Sequence, residues 1–259
     1  MCPAPASSLL AGYYVISLRP AGAHGGLRRA AARLGARTFA LPPWRLVFHD
    51  DAPARAALRE ALAADIVLFT SPPAVRAACA LQVLAPARDP QRWLAVGAAT
   101  ARALRAAGIA NVQSPARMDS EGLLALPALA QVRGARIGLV TAPGGRGVIA
   151  PALTAAGAQV IRADVYARQP VSPAPERIAA LMALPAPWLL PLSSGEALDT
   201  ILARLPPSAV ERLRDARVVA ASARLADQAH AHGFRDIRIA RDARPGSLLA
   251  AADPGHPAS

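Results

Sequence analysis

Short apolar runs alternate with longer segments in which apolar residues recur every three or four positions. The runs have the length of strands, and most are continuously apolar, which is typical of strands buried on both faces of a parallel sheet. Between them, stripes such as Leu27, Ala30, Ala31 and Leu34 follow the helical period, and Gly35 ends this one. The clearest predicted strands are Tyr13–Leu18, Asp65–Thr70, Trp93–Gly97, Arg136–Thr141, Trp188–Ser193 and Arg217–Ala221. Such alternation predicts an α/β fold.

The pattern also repeats within the chain, at an offset of about 122 residues. The helical stripe of Leu27–Leu34 recurs at Ile149–Ala156, and a Gly-Ala pair follows both copies. The strand end Phe69–Ser71 is matched by Pro191–Ser194. We therefore predict two similar α/β domains with mainly parallel sheets. Ligands of such domain pairs usually bind in the crevice between them.

After each Gly-Ala pair the chain contains two short extended segments instead of a helix. We interpret these stretches as strands that cross between the domains and pair with each other, as a two-stranded β-ladder linker. The predicted parts are a discontinuous domain of residues 12–37 plus 171–252, an inserted domain of residues 46–160, crossings at 37–48 and 160–171, and a disordered tail at 253–259.

Composition and charge narrow the range of partners. Apolar residues make up 53% and charged residues 18%, an ordinary globular balance. The net charge is +12, and all 29 basic residues are Arg. The guanidinium fork matches carboxylate and phosphate geometry, so an acidic partner is expected. The Arg residues are dispersed and only four Phe are present, which disfavours a nucleic-acid-binding surface.

Other features bear on the compartment. No apolar run approaches the ~20 residues that a membrane-spanning helix needs. The segment Met1–Gly12 lacks a basic residue and has only a short apolar stretch, unlike a signal peptide. Two cysteines, Cys2 and Cys79, are too few for a disulfide framework. We expect a cytoplasmic, monomeric protein without membrane or nucleic-acid partners.

One motif suggests a nucleotide cofactor. Gly145–Ala150 matches the dinucleotide pattern G-x-G-x-x-A, and Asp164 follows about 20 residues later, where a ribose ligand is expected. Pro143-Gly144 separates this motif from its strand, which argues against that interpretation. The alternative is a loop whose backbone N–H groups, together with Arg146, hold a carboxylate.

Two hydroxyl-bearing segments lie between a predicted strand and a predicted helix. They are Thr70-Ser71-Pro72 and Ser193-Ser194-Gly195. Helix capping by a serine is the structural interpretation. Because a helix start also has free N–H donors, two matching starts suit an anionic ligand. None of the five His lies in a recognisable triad or H-E-x-x-H context, so no metal site or activated nucleophile is predicted.

Taken in chain order, these short motifs resemble the uroporphyrinogen-III synthase family over residues 13–250. The matching segments are Arg19-Pro20, Thr70-Ser71-Pro72, Ala95-Val96-Gly97, Thr100-Ala101, Ser120–Leu124, the Gly144–Arg146 loop, Tyr166-Ala167-Arg168, Ser193-Ser194 and Gly233-Phe234. The resemblance implies two α/β domains joined by a two-stranded ladder, with the substrate in the cleft between them. It also implies an enzyme that cyclises hydroxymethylbilane, a linear tetrapyrrole polycarboxylate, to uroporphyrinogen III. Water is lost, the last pyrrole ring is inverted, and no metal or organic cofactor takes part.

The resemblance also assigns roles to individual residues. Tyr166 matches the tyrosine thought to assist departure of the substrate hydroxyl. The substrate-binding residues that it implies are Arg19, Thr70, Ser71, Gly97, Thr100, Arg146, Ser193, Ser194 and Ser222. The chain departs from the family at Pro73, which replaces a common Asn. It departs again around Ser222 and Arg224, where the family has a Gly-Pro-Thr-Thr-like run.

Three other functions stay open. One is a module that binds a small acidic ligand between two domains without turnover. Another is a nucleotide-cofactor-dependent enzyme that uses the Gly145–Ala150 loop. The third is a nucleic-acid-binding protein, whose binding would depend steeply on salt concentration.

Overall fold

The computed structural model describes residues 9–117, 120–144 and 147–252. By its internal contacts the chain divides into two compact units. Unit 1 comprises Met1–Arg45 and Gln169–Ser259, and unit 2 comprises Leu46–Arg168. The predicted disordered tail, 253–259, lies outside the described residues.

Strands and helices alternate along both units. In chain order the strands are β1 (Tyr14–Ser17), β2 (Arg37–Ala40), β3 (Trp44–Phe48), β4 (Ile66–Phe69), β5 (Arg92–Ala95), β6 (Val112–Gln113), β7 (Arg136–Thr141), β8 (Gln159–Asp164), β9 (Tyr166–Pro170), β10 (Trp188–Leu192), β11 (Arg217–Ala220) and β12 (Ile237–Ile239). The α-helices are α1 (Gly25–Arg33), α2 (Ala52–Leu62), α3 (Pro72–Leu81), α4 (Ala98–Ala106), α5 (Ser120–Leu124), α6 (Ile149–Ala155), α7 (Pro175–Met182), α8 (Gly195–Leu202), α9 (Pro207–Arg214), α10 (Ala223–Ala231) and α11 (Pro245–Ala250).

The two sheets have the same topology. Unit 2 has the strand order β6-β5-β4-β7-β8, and unit 1 has the order β12-β11-β10-β1-β2. Every neighbouring pair in both sheets is parallel. Strand β10 thus corresponds to β4, and β1 corresponds to β7. The predicted α/β class with parallel sheets is confirmed, and the sequence repeat corresponds to a repeated topology.

Strands β3 and β9 form a separate two-stranded sheet, and the chain passes from one unit to the other within them. The first part of each predicted crossing lies in one of the two five-stranded sheets and not in this two-stranded sheet. Arg37–Ala40 is β2, which pairs with β1, and Gln159–Asp164 is β8, which pairs with β7. Both are edge strands with interrupted burial. Edge strands are covered less completely than central ones, so exposed and buried residues alternate along both strands. This alternation of polar and apolar positions is also typical of a linker strand.

Continuous apolar runs became central strands because both faces of each sheet are covered by helices. All four residues of β4 are buried, with Val67 and Phe69 in one core cluster and Ile66 and Leu68 in another. Phe69 stacks on Trp93 of β5, with ring centroids 5.9 Å apart. In the part of the chain that is described, no helix is long and apolar enough to cross a membrane.

Candidate functional site

The predicted site residues lie where parallel strands end. In unit 2, Thr70 follows β4, Gly97 follows β5 closely, and Thr141 is the last residue of β7. From β4 the chain continues to β5 on one side of the sheet, whereas β7 leads to β8 on the other. Ligands of open α/β sheets bind outside the carboxyl ends of the strands at such a switch point.

A cavity of about 200 Å³ lies at this switch point and is formed by unit 2 alone. Its hydroxyl and guanidinium groups come from Thr70, Ser71, Ser120, Thr141, Arg162, Tyr166 and Arg168. The hydroxyl oxygens of Thr70 and Thr141 are 2.8 Å apart, which joins the ends of β4 and β7. The cavity therefore combines a hydroxyl-rich wall with two basic side chains.

Tyr166 and Ser71 are in direct contact in this cavity. The phenol oxygen of Tyr166 lies 3.1 Å from Ser71 Oγ, and Tyr166 is only 3% exposed. Ser71 is also the N-cap of α3, where its Oγ accepts the N–H of Ala74 at 3.2 Å. Because Ser71 already accepts one hydrogen bond, its own proton is available to the phenol oxygen. The fold thus brings together two predicted site residues that are 95 positions apart in the sequence.

The start of α3 does not supply the free backbone donors expected from the sequence. Pro72 and Pro73 occupy its first two positions and have no N–H, and the N–H of Ala74 is bound by Ser71. The start of α4 differs, because its N-cap is Gly97, which has no side chain to cap the first turn. The first N–H groups of a helix lack carbonyl partners within the helix. Backbone donors for an anion are therefore found at α4, where Thr100 lies in the first turn and is 3% exposed.

Arg162 and Arg168 line the cavity but were not among the predicted site residues. Arg162 is paired, since its Nε lies 3.1 and 3.0 Å from the two carboxylate oxygens of Asp164. The alternation of polar and apolar residues along this segment of the sequence could have identified both arginines. Polar side chains at 162, 164, 166 and 168 alternate with Ala163, Val165 and Ala167, of which the first two are fully buried.

The described residues around the Gly145–Ala150 motif disfavour a dinucleotide site. Strand β7 ends at Thr141 and α6 begins at Ile149, whereas dinucleotide-binding motifs join strand and helix by a short turn. Asp164, which would bind the ribose, is engaged by Arg162. Gly147 and Ala150 line the unit 2 cavity. Gly145 and Arg146 lie outside the described residues.

The remaining predicted residues belong to unit 1 and also follow strand ends. Ser193 and Ser194 follow β10, and Ser194 caps α8 by accepting the N–H of Ala197 at 3.3 Å. Ser222 is the N-cap residue of α10 without a capping hydrogen bond. Arg19 follows β1, is half-buried, and has its pKa lowered because burial removes water from the charge. The predicted residues thus divide between the two units.

Comparisons with known proteins agree with this architecture. The family model for uroporphyrinogen-III synthase HemD matches residues 26–250. A curated uroporphyrinogen-III synthase from Escherichia coli is 32% identical over 161 residues, which cover 61% of this chain and 65% of the relative. The match thus spans slightly less than two thirds of that relative's length.

Two solved structures share the fold. A mutant uroporphyrinogen III synthase from the extremely thermophilic bacterium Thermus thermophilus has a TM-score of 0.62 and 22% identity, and the match covers 93% of this chain and 96% of that one. Uroporphyrinogen-III synthetase from Helicobacter pylori has a TM-score of 0.60 and 12% identity, covering 93% and 98%. At these identities the likeness shows the fold alone.

Two units with the same parallel α/β topology, each with polar residues at its strand ends, define a small-molecule-binding α/β protein. The family match covers most of the chain and shows to which family of such proteins it belongs. The chain belongs to the uroporphyrinogen-III synthase family.

Proposed function

We propose that this protein is a lyase that converts hydroxymethylbilane into uroporphyrinogen III, with loss of water and inversion of the last pyrrole ring. The observation that carries the proposal is the contact between Tyr166 and Ser71 in the unit 2 cavity, in a chain of this family. A phenol held among hydroxyl groups at a switch point suits a substrate whose reaction begins with the departure of a hydroxyl group.

Tyr166 is proposed to assist that departure. If Ser71 donates its proton to the phenol oxygen, the Tyr166 O–H is free to donate to the substrate hydroxyl, which leaves as water. The resulting azafulvene cation is attacked by the substituted carbon of the last ring, which gives a spiro intermediate. The original bond between the last ring and its bridging carbon then breaks, and re-closure through the unsubstituted carbon of that ring yields the inverted macrocycle. The proton lost from this carbon restores the Tyr166 phenol. Over the whole reaction one water is released and no oxidant or reductant is required.

The carboxylates of the substrate are proposed to bind the polar residues at the strand ends. In unit 2 these are Thr70, Ser71, Thr100 and the backbone N–H groups after Gly97, and Arg146 is added from the sequence. In unit 1 they are Arg19, Ser193, Ser194 and Ser222. The partner is thus a small polycarboxylate, and no cofactor is needed for the proposed steps. The monomeric state and the cytoplasmic location expected from the sequence remain predictions.

Hydroxymethylbilane also closes spontaneously, to the uninverted type I isomer, so acceleration of closure is not a sufficient test. A product ratio of 100:1 needs a barrier difference of only about 2.7 kcal/mol. A few oriented carboxylate contacts are sufficient for that difference.

The test is an anaerobic incubation of the purified protein with hydroxymethylbilane, followed by separation of the oxidised products. We expect mainly the type III isomer. A folded protein that yields only the type I isomer would show that the proposed activity is wrong.

A further inference from the structure

Besides the unit 2 cavity, the protein has a cavity in unit 1 that none of the proposed reaction steps uses. It has a volume of about 410 Å³ and lies where β2 ends, beside the loop before α1 and the segment that leads into α7. Its apolar wall includes Leu41, Pro42 and Val171, and its charged or titratable lining groups are His24 and Arg177. This volume is within the range of small-molecule sites, and so is the combination of an apolar wall with a few polar groups.

The Arg177 guanidinium is held in place without an acidic partner. It lies 3.9 Å from the centroid of the Phe39 ring, and its Nε donates to the Ala40 carbonyl at 3.0 Å. Arg19 and Arg28 are close enough to act on His24 electrostatically, as Arg177 does. Across residues 9–117, 120–144 and 147–252, no carboxylate forms an ion pair with any of these three arginines. Only Arg177 of the three lines the cavity, but the positive charges that act on His24 together favour an anion there.

His24 is the other titratable residue that lines this cavity. Its Nδ1 lies 2.8 Å from the hydroxyl oxygen of Ser17, which is fully buried at the end of β1. Burial lowers the pKa of His24, and the positive charges of Arg177, Arg19 and Arg28 lower it further. When Nδ1 accepts the Ser17 proton, Nε2 of the neutral ring carries a hydrogen. A bound anion would reverse the electrostatic balance and favour the imidazolium.

We propose that this unit 1 cavity is a binding site for a carboxylate carried on a small apolar ring. Arg177 and His24 bind the carboxylate, Arg19 and Arg28 add positive potential, and Leu41, Pro42 and Val171 contact the ring. The choice of a pyrrole as that ring rests on the proposed function, whereas the choice of a ring acid rests on the lining alone.

The test is calorimetric titration of the full chain with a monopyrrole that carries one acetate and one propionate side chain. We expect binding by the wild type and at least tenfold weaker binding by Arg177→Gln. Arg33→Gln is the matched control, because it removes the same charge from an exposed position on α1 outside the cavity; its affinity should change less than twofold. Circular dichroism checks folding, and Arg177→Lys, which keeps the charge, should recover part of the affinity.

A second measurement distinguishes the site from general charge attraction. Titrations in buffers of different ionisation enthalpy should show proton uptake on binding near pH 7 in the wild type and none in His24→Gln. Failure of the wild type to bind, equal affinity in Arg177→Gln, or equal proton uptake in His24→Gln would each overturn the proposal. Acetate binding as tightly as the monopyrrole would overturn the ring part. If the protein binds the monopyrrole but does not convert hydroxymethylbilane, this site is supported and only the proposed function is wrong. If it converts hydroxymethylbilane but does not bind the monopyrrole, the proposed function is supported and this site is wrong.

Discussion

At the scale of single residues, Tyr166 offers the most direct test of the chemistry. Tyr166→Phe keeps the buried ring and removes the hydroxyl that lies 3.1 Å from Ser71. If Tyr166 has the proposed role, the substrate hydroxyl leaves more slowly without the phenol proton, so turnover should fall at least several-fold and the type I isomer should accumulate. Anaerobic rate measurement with isomer analysis checks both. An unchanged rate and isomer ratio would assign Tyr166 a purely structural role.

His24 predicts how stability depends on pH. Its folded pKa is lowered, by burial first and then by Arg177, Arg19 and Arg28, from an ordinary value of 6.5. Below about pH 6.5 the unfolded chain therefore binds the proton more readily than the folded chain, and acidification destabilises the fold. Above that pH both states are neutral at His24 and its contribution disappears.

We therefore expect urea unfolding to show a larger loss of stability between pH 7.5 and pH 5 in the wild type than in His24→Gln, which does not titrate. The other ionisable groups are common to both proteins and cancel in the comparison. Equal losses would contradict the depressed pKa.

At the scale of elements, the start of α3 affects both the stability of unit 2 and the proposed activity. Ser71→Ala removes the cap of α3, which should lower the free energy of unfolding by about 1 kcal/mol. It also removes the partner of the Tyr166 phenol, so turnover should fall too. Asp51→Ala is the matched control, since Asp51 caps α2 in the same unit by accepting the N–H of Ala54 at 2.8 Å. It should lose similar stability and keep its turnover.

Chemical denaturation gives the stability of both variants, and the isomer assay gives the activity. If both lose turnover equally, the activity loss in Ser71→Ala reflects unit 2 stability and not the contact with Tyr166.

The packing of α2 on β7 depends on a glycine. A Cβ atom at Gly138 would lie 1.9 Å from the carbonyl oxygen of Ala61, a backbone atom of α2 that cannot move independently. Gly138→Ala must push the helix from the sheet, and we expect a stability loss of about 2 kcal/mol or more. Gly26→Ala in α1 is the control, because no atom lies within 4 Å of its added Cβ. Thermal melting should show a lower midpoint for the first variant only.

At the scale of the whole molecule, the net charge of +12 should attract the proposed polycarboxylate substrate over a long range. Salt shortens that range, from about 10 Å at 0.1 M to about 3 Å at 1 M. We therefore expect KM to rise with ionic strength while kcat changes little. Steady-state kinetics at several NaCl concentrations check this, and a KM independent of salt would show that long-range attraction contributes nothing.

The sequence by itself determined the class of fold and the repeat. Continuous apolar runs can be buried only in sheets covered on both faces, so β4, β7 and β10 were recognisable from local pattern. Edge strands were harder, because their exposure depends on what lies beside them in space. For that reason the sequence pattern predicts β2 and β8 as parts of a linker, whereas they pair with β1 and β7.

Only the tertiary structure decided which side chains meet. Ser71 and Tyr166 are 95 positions apart in sequence, and their contact follows from where β4 ends and β9 begins. His24 and Arg177 are brought to one cavity from the two separate chain segments of unit 1. Likewise, the two prolines and the capping by Ser71 could be predicted from the sequence, but the second contact of Ser71, with Tyr166, could not. Local pattern specifies where elements form, whereas the chemistry of a site depends on distances that only the folded chain sets.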